Sequence, residues 1–480
     1  MKNKNSHIIS FVLDGEVVDI DFSGAQSLRP TTTVLNYLRS LPNHKGCKEG
    51  CAEGDCGACT VVLAKYEQKK IRYQAVDACL IFLPMLHGKQ LITVENVGSS
   101  HKLHPVQEAM VDLDGSQCGF CTPGFIMAMF ELYKNTSIPT NDQIDDALTG
   151  NLCRCTGYRS IIDAAQRAGA KKARDHFSQQ KEIKKMLGGI HTNNIQLSNK
   201  NQVYHKPCDK QSALKLIQRH PKATIVAGAT DIALRVTKNH ENIPEIIDIG
   251  DIEELKKISS SKSHYKIGAG ASLESVKAFS KVRLPALHKM LAVFGSKQIR
   301  HLATLGGNLG SASPIGDTTP VLIALKAIIV IEGKNGARKV PMSKFITGYR
   351  KSQCKAGELI TEIQIPRARN GALIRSYKIS KRKDLDIATV SAGFRVCLDK
   401  SNIPTDLMLV YGGMAEMTKR AVKTEEFLSG KVWNRKMIEQ ASNMISADFN
   451  PISDARSGAR AREVMAKNLL MKFWTETTKA

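Results

Sequence analysis

In HIISFVLDGEVVDIDF, residues 7–22, apolar-rich runs flank Asp14-Gly15 and predict two strands joined by a tight turn. TTTVLNYLRSL, residues 31–41, predicts a short helix entered through a threonine cap. GFIMAMFELYKN (124–135) has the helical period, and TNDQIDDALTGN (140–151) predicts a second helix capped by Thr140. The stretch 171–202 is polar and basic with a glycine pair, and reads as a linker with some helical character. ATIV (223–226) predicts a strand and TDIALRV (230–236) a helix, with Gly228 in the turn between them. SAGFRVCLD (391–399) and LMLVYGGMAEMTKRA (407–421) read as strands followed by helices.

Length changes this picture first: 480 residues fit several domains, and 42% hydrophobic residues are enough for real cores. The start is charged and then strand-like, without the apolar core of a signal peptide, and no later window is apolar enough to span a membrane. The expectation is a cytoplasmic protein that uses no membrane. The charge is unusual, with 69 basic against 45 acidic residues and a net +24. Nucleic-acid binding is not expected: the lysines are spread along the chain, aromatics are 5%, and no nucleic-acid-binding motif occurs. The excess reads first as a surface trait, then as a match to an acidic partner or to anionic nucleotides.

Chemistry enters with KGCKEGCAEGDCGACT, residues 45–60, which gathers Cys47, Cys51, Cys56 and Cys59. In a reducing compartment such a cluster holds metal more often than disulfides. Structural zinc usually takes two close pairs. From Cys51 the spacing is C-x4-C-x2-C, with Cys79 following alone, which is the plant-type 2Fe–2S pattern. Gly50, Gly54 and Gly57 between the thiols permit positive φ and close approach. Cys47 falls outside the spacing and reads as a free thiol nearby. Strand, strand, helix and cysteine loop is the order of a β-grasp ferredoxin module. A second set follows, Cys118 and Cys121 in QCGFCTPG and Cys153 and Cys155 in GNLCRCTGYRSI. Two helical hairpins could bring these pairs to one point; structural zinc is the alternative for this half.

With GCAEGDCGACTVVL, QCGFCTPG and GNLCRCTGYR in that order, the first 165 residues resemble the iron–sulfur half of the xanthine oxidase family of molybdenum hydroxylases. The resemblance implies that Cys51, Cys56, Cys59 and Cys79 hold an N-terminal 2Fe–2S cluster. It implies that Cys118, Cys121, Cys153 and Cys155 hold a second, in a helical domain facing the molybdenum cofactor. Gln117 matches a residue that hydrogen-bonds the pterin. Cys47 departs from the family, whose members usually carry a non-thiol there, and is expected to make the region more prone to oxidation.

The glycine turn of IVAGATDI reads either as an ordinary turn or as a strand–loop–helix phosphate site. No GxGxxG supports a Rossmann domain. VFGSKQIRHLATLGGNLGSASPIGDTTP, residues 293–320, adds a Gly pair and small residues, with Asn308, Ser313 and Asp317 for polar contacts. AGATD followed by ATLGGNLGSASPIGDTTP resembles the flavin domain of the same family. That resemblance implies that Ile225, Val226, Ala227, Gly228, Ala229, Thr230, Asp231 and Ile232 wrap the FAD pyrophosphate. Thr304, Leu305, Gly306, Gly307, Asn308 and Asp317 would contact the cofactor further along, with Phe294 beside the isoalloxazine. Ile360 and Lys378 match weaker contact positions, and the loop 381–386 aligns near the flavin and pyridine-nucleotide site. Cys208, Cys354 and Cys397 read as ordinary thiols.

The expected organisation is multidomain α+β. Residues 1–88 form a β-grasp 2Fe–2S ferredoxin-like domain, 89–168 a helical-bundle 2Fe–2S domain and 169–198 a linker. Residues 199–371 form a vanillyl-alcohol-oxidase-type FAD-binding domain and 372–480 a C-terminal α+β flavoprotein subdomain. The chain carries no stretch like the family's molybdopterin-binding portion. The resemblance therefore implies an electron-transfer subunit with no catalytic residue of its own, in an (αβ)2 assembly with a large molybdenum-binding partner. Electrons from the partner's molybdopterin cofactor would pass through both clusters to FAD and then NAD+, while hypoxanthine or xanthine is oxidised to urate. The alternatives are the same relay serving an aldehyde or N-heterocycle hydroxylase, or a non-enzymatic zinc scaffold.

Overall fold

A computed structural model describes residues 7–24, 28–67, 70–99, 101–170, 175–178, 180–191, 193–199, 201–368 and 371–478. Residues 1–6 and the parts of the expected linker at 171–174, 179 and 192 lie outside the described residues. The chain forms two units. The first comprises residues 1–216, 222–252 and 296–303; the second comprises 217–221, 253–295 and 304–480. Three stretches that the sequence groups with the flavin segment, 199–216, 222–252 and 296–303, thus fall in the unit that bears the cysteine sets.

In the first unit, β1 (Ile8–Leu13) and β2 (Glu16–Asp21) form the expected hairpin. Asp14 and Gly15 both take positive φ, 53° and 87°, as a two-residue turn matched to strand twist requires. β3 (Thr60–Glu67) and β4 (Lys70–Asp77) form a second antiparallel pair. β5 (Gln90–Ile92) runs parallel to β1 and antiparallel to β3, giving the order β2-β1-β5-β3-β4. The helix Val34–Ser40 starts where Thr33 Oγ1 accepts the Asn36 N–H. It buries Val34, Leu35 and Leu38 with Phe11, Val61 and Phe82.

Four helices follow: Pro105–Asp112, Thr122–Asn135, Asn141–Leu148 and Arg159–Ala170. Phe125, Phe130, Ile144 and Ile161 belong to one core that joins them. The segment expected to be a linker contains the helix Gln180–Gly189, whose Ile183 and Leu187 are buried in the same core. An i, i+4 apolar pair is enough to dock it. β6 (Ile195–Asn199), β7 (Gln202–Lys206), β8 (Thr224–Val226) and β9 (Glu245–Asp248) form a sheet in the order β6-β7-β9-β8.

An ion cluster lies in this unit, with Lys89, Lys206 and Asp248 buried and Lys65 and Asp251 half-buried. Lys206 Nζ lies 2.7 Å from both Asp248 Oδ2 and Asp251 Oδ2, and Lys65 and Lys89 each approach Asp251 at 3.0 Å. Tyr204 donates to Asp248. Buried charges persist when paired and hydrogen-bonded in this way.

The second unit contains a five-stranded antiparallel sheet, a two-stranded one and a four-stranded one. The first takes β10 (Ile258–Ser260), β11 (His264–Gly268), β12 (Ile328–Gly333) and β13 (Gly336–Pro341). β14 (Ile346–Gly348) pairs with β15 (Lys351–Ser352), and β16 (Leu359–Pro366) joins β11 to β12. β17 (Leu373–Ile379), β18 (Val390–Leu398), β19 (Pro404–Gly412) and β20 (Lys419–Arg420) form the last sheet in chain order. Its core gathers Phe394, Tyr411, Trp433, Ile438 and Phe473. Among the described residues no helix is long and apolar enough to cross a membrane.

Candidate functional site

The first cysteine set sits where the loop before β3 meets the turn after β4. Cys59 and Cys79 are buried, while Cys51 and Cys56 are half-buried. The thiols associate in twos: Cys51 hydrogen-bonds Cys56, and Cys59 hydrogen-bonds Cys79. The Cys56 contact, with the N–H groups of Glu53 and Asp55 at 3.4 Å, lowers the Cys51 thiol to about 5 against its burial. Cys56 is raised correspondingly. Gly57 takes a φ of 68°, and a Cβ there would collide with the Gly150 carbonyl. A Cβ at Gly50 would lie 2.8 Å from Cys56 Sγ. The loop is therefore a cradle shaped by small residues around sulfur.

Cys47 stands outside both pairs. It is buried, its Sγ lies 3.5 Å from the Cys59 carbonyl, and burial pushes its thiol well up. The expectation that it makes the region oxidation-prone is overturned, because the reactive form is an accessible thiolate.

The second set lies at the start of the helix Thr122–Asn135 and in the loop before Arg159–Ala170. Here too the thiols associate in twos, Cys118 with Cys155 and Cys121 with Cys153. Cys118 and Cys155 are exposed, Cys121 is half-buried and Cys153 is buried. Burial opposes ionisation of Cys153, yet Thr156 and the Cys155 N–H bring its thiol down to about 7. Burial, then the bond to Cys153, raise Cys121 to about 12. Gln117, beside this set, is exposed.

The pairing tests which metal fits. One zinc ion bound through four thiolates at about 2.3 Å needs all four sulfurs roughly 3.8 Å apart. Among the described residues, neither cysteine set brings three sulfurs within 4.8 Å of one another. Two thiolates for each of two irons is the arrangement that separated sulfur pairs provide. The donors thus fit 2Fe–2S better than zinc, in both halves.

The two sets are joined directly. Leu152 N–H donates to the Cys56 carbonyl at 3.0 Å. Asn151 Nδ2 donates to the Gly57 carbonyl at 3.0 Å and to Thr60 Oγ1 at 3.2 Å.

The flavin candidates fall in both units. In the first, residues 225–232 run from β8 into the helix Ile232–Thr237, and Ala229 has a φ of 61°. A Cβ at Gly228 would collide with the Leu302 carbonyl, so this turn needs glycine. Thr230 and Asp231 lie in the same turn. In the second unit, Thr304 caps the helix Leu305–Gly310, its Oγ1 accepting the Gly307 N–H at 3.0 Å. Asn308 Oδ1 accepts the Thr318 hydroxyl at 2.6 Å. Ile360 Cδ1, on β16, would lie 3.7 Å from a Cβ at Gly310.

Lys378, on β17, is not a solvated lysine. Its side chain is 5% exposed, pairs with Asp317 at 3.0 Å and donates to the Val293 carbonyl at 3.0 Å. Burial raises the Asp317 carboxyl while Lys378 opposes the shift. Asp317, Lys378 and the turn carrying Phe294 are thus brought together within the second unit. Asn151 and Gln298, both buried, were not singled out by sequence reasoning. Each lies inside a stretch that the sequence analysis quotes for other residues, but their partners lie far along the chain and no local signal marks their role.

Three family models match the chain: a [2Fe-2S] binding domain over residues 93–166, an FAD binding domain in molybdopterin dehydrogenase over 195–368, and a CO dehydrogenase flavoprotein C-terminal domain over 375–477. The chain is 32% identical to the xanthine dehydrogenase of Emericella nidulans, over 97% of this chain and 38% of that protein. It is 31% identical to the xanthine dehydrogenase/oxidase of Gallus gallus, over 97% of this chain and 40% of that one. It therefore spans about two-fifths of the length of these curated relatives. Among solved structures, a carbon monoxide dehydrogenase from Hydrogenophaga pseudoflava matches with a TM-score of 0.53 and 25% identity, over 56% of this chain and 94% of that chain. Quinoline 2-oxidoreductase from Pseudomonas putida 86 shares the fold, with a TM-score of 0.53 and 23% identity over 57% of this chain and 96% of that one.

Domains of these kinds, with mixed α and β content, define an iron–sulfur flavoprotein of the oxidoreductase class. The chain carries domains of the kinds found in molybdopterin and CO dehydrogenases and is similar to xanthine dehydrogenases over nearly its whole length.

Proposed function

We propose that this chain is the electron-transfer small subunit of a xanthine dehydrogenase of the bacterial two-subunit kind. Electrons would pass from a molybdopterin cofactor on a large partner subunit through two 2Fe–2S clusters to FAD and then NAD+, as hypoxanthine or xanthine is oxidised to urate. When bound, the clusters supply one-electron carriers and the flavin connects them to two-electron hydride chemistry. This chain's own work is to hold those groups and keep them in order.

Cys51, Cys56, Cys59 and Cys79 hold one cluster in this reading, and Cys118, Cys121, Cys153 and Cys155 the other. The small-residue turn 225–232 receives the FAD pyrophosphate. Thr304 to Asn308, Asp317, Phe294, Ile360 and Lys378 receive the rest. The domain reading goes with it: a β-grasp module, a helical bundle and a vanillyl-alcohol-oxidase-type flavin domain with its C-terminal subdomain. The partner would complete an (αβ)2 assembly in the cytoplasm.

The observation that carries the proposal is the contact between the two cysteine sets. The Cys56 carbonyl accepts the N–H of Leu152, the residue directly before Cys153. One hydrogen bond thus separates a ligand of each set, a short bonded path for an electron. The similarity to xanthine dehydrogenases over nearly the whole chain supports the substrate.

The test is xanthine-dependent NADH formation by the protein purified with its natural partner. The proposal expects activity that is lost when either subunit is omitted. A brown, flavin-containing complex that forms no NADH from xanthine would overturn the substrate and acceptor while keeping the relay. A colourless zinc protein would overturn the relay itself.

A further inference from the structure

The helix Lys297–Leu302 reaches three candidate cofactor stretches of the first unit. Gln298 Nε2 donates to Asn151 Oδ1 at 2.9 Å, beside the second cysteine set. Ile299 Cδ1 would lie 2.9 Å from a Cβ at Gly54, in the first cysteine loop. The Leu302 carbonyl closes on Gly228, in the candidate phosphate turn. Arg300 and Lys297 fix the helix by pairing with Asp146 at 2.6 Å and Glu131 at 2.8 Å.

Asn151 is the hinge of this arrangement. Its Nδ2 holds the Gly57 carbonyl and Thr60 Oγ1, while its Oδ1 takes the Gln298 proton. An asparagine amide can turn end for end. The Gly57 carbonyl, which can only accept, calls for the orientation that leaves NH2 facing the first cysteine loop, and the buried Gln298 donor holds it by occupying Oδ1. Gln298 itself is wholly buried, so water does not compete for the bond.

We propose that Gln298 is a positioning residue. It fixes the Asn151 amide, and so holds the two cysteine loops at one separation. Through its short helix it ties that geometry to the phosphate turn at Gly228. The inference rests on the two-cluster flavin reading and adds a residue that touches none of the three cofactors.

The test uses the full chain carrying Gln298→Glu, which keeps the shape but replaces the NH2 donor with a carboxylate. Asn151 must then turn its own NH2 toward position 298 and release Gly57 and Thr60. The reduced variant should keep wild-type iron content and both iron–sulfur resonance signals. The magnetic splitting between the two signals should change, and FAD should be held about tenfold more weakly, as expected for loss of one or two buried hydrogen bonds. Gln298→Leu, neutral and similar in size, provides the same readouts if the glutamate variant does not fold. Unchanged splitting and unchanged FAD retention overturn the proposal. So does loss of both clusters from a folded variant, because a positioning role predicts that all eight thiols remain ligands. A wild-type protein without two signals and FAD overturns the relay reading instead, and this one with it.

Discussion

Cys56 faces two ways: its thiol shares a hydrogen bond with Cys51, and its carbonyl accepts the Leu152 N–H. Cys56→Ser is expected to remove the first cluster and leave the second, because a hydroxyl is a poor iron ligand. Iron content and the two resonance signals of the reduced protein check this. Cys47→Ser should keep both signals, since the Cys47 thiol lies outside the sulfur pairs; loss of one signal would contradict the ligand assignment. Gly228→Val should strip FAD while sparing iron, because its Cβ meets the Leu302 carbonyl; flavin and iron analysis of the same sample decides. The two cysteine sets were legible as candidate ligands, the first from its C-x4-C-x2-C spacing and the second through the family resemblance. Gln298 was not, because its partner, Asn151, is 147 residues away. Lys378 was legible only as a weak flavin-contact match, and its burial against Asp317 is a pairing with a residue far along the chain.

Elements with local signals were read correctly. Thr33 and Thr140 cap their helices, and Asp14-Gly15 turns its hairpin. Thr140 completes a capping box with Gln143. Thr140→Ala should cost about 1 kcal/mol of stability. The helix it caps, Asn141–Leu148, leads into the loop holding Cys153 and Cys155. The second cluster should therefore be lost at a lower urea concentration than in wild type, with the first cluster less affected, as iron signals followed through the titration will show. The helical character of the segment holding Gln180–Gly189 was legible, but its docking into the core was not, because one apolar pair, Ile183 and Leu187, is a faint stripe in a basic segment. The three-residue β5 was hidden because its parallel pairing with β1 depends on contacts almost eighty residues apart.

At the scale of the whole molecule, the motifs announced iron–sulfur and flavin parts, but composition gave no sign of how charge is arranged. The net charge of +24 describes mostly surface, while Lys65, Lys89 and Lys206 converge on Asp248 and Asp251 inside the first unit. Burial brings Lys89 down to about 7 from 10.5, against the pull of Asp251. Between those two values the unfolded chain binds more protons at this site than the folded one, so the Lys89 contribution makes stability rise with pH across that window. Lys89→Met should flatten that rise. Urea midpoints of both proteins, compared across the window, isolate the contribution from the general relief of positive charge. A wild-type curve parallel to that of the variant would contradict it.

The most direct test of the central claim is a redox titration of the purified chain by electron paramagnetic resonance, with iron, zinc and flavin measured on the same sample. The account predicts two distinct 2Fe–2S signals, FAD bound to the same chain and no stoichiometric zinc. One signal alone, or zinc in either cysteine set, would contradict it.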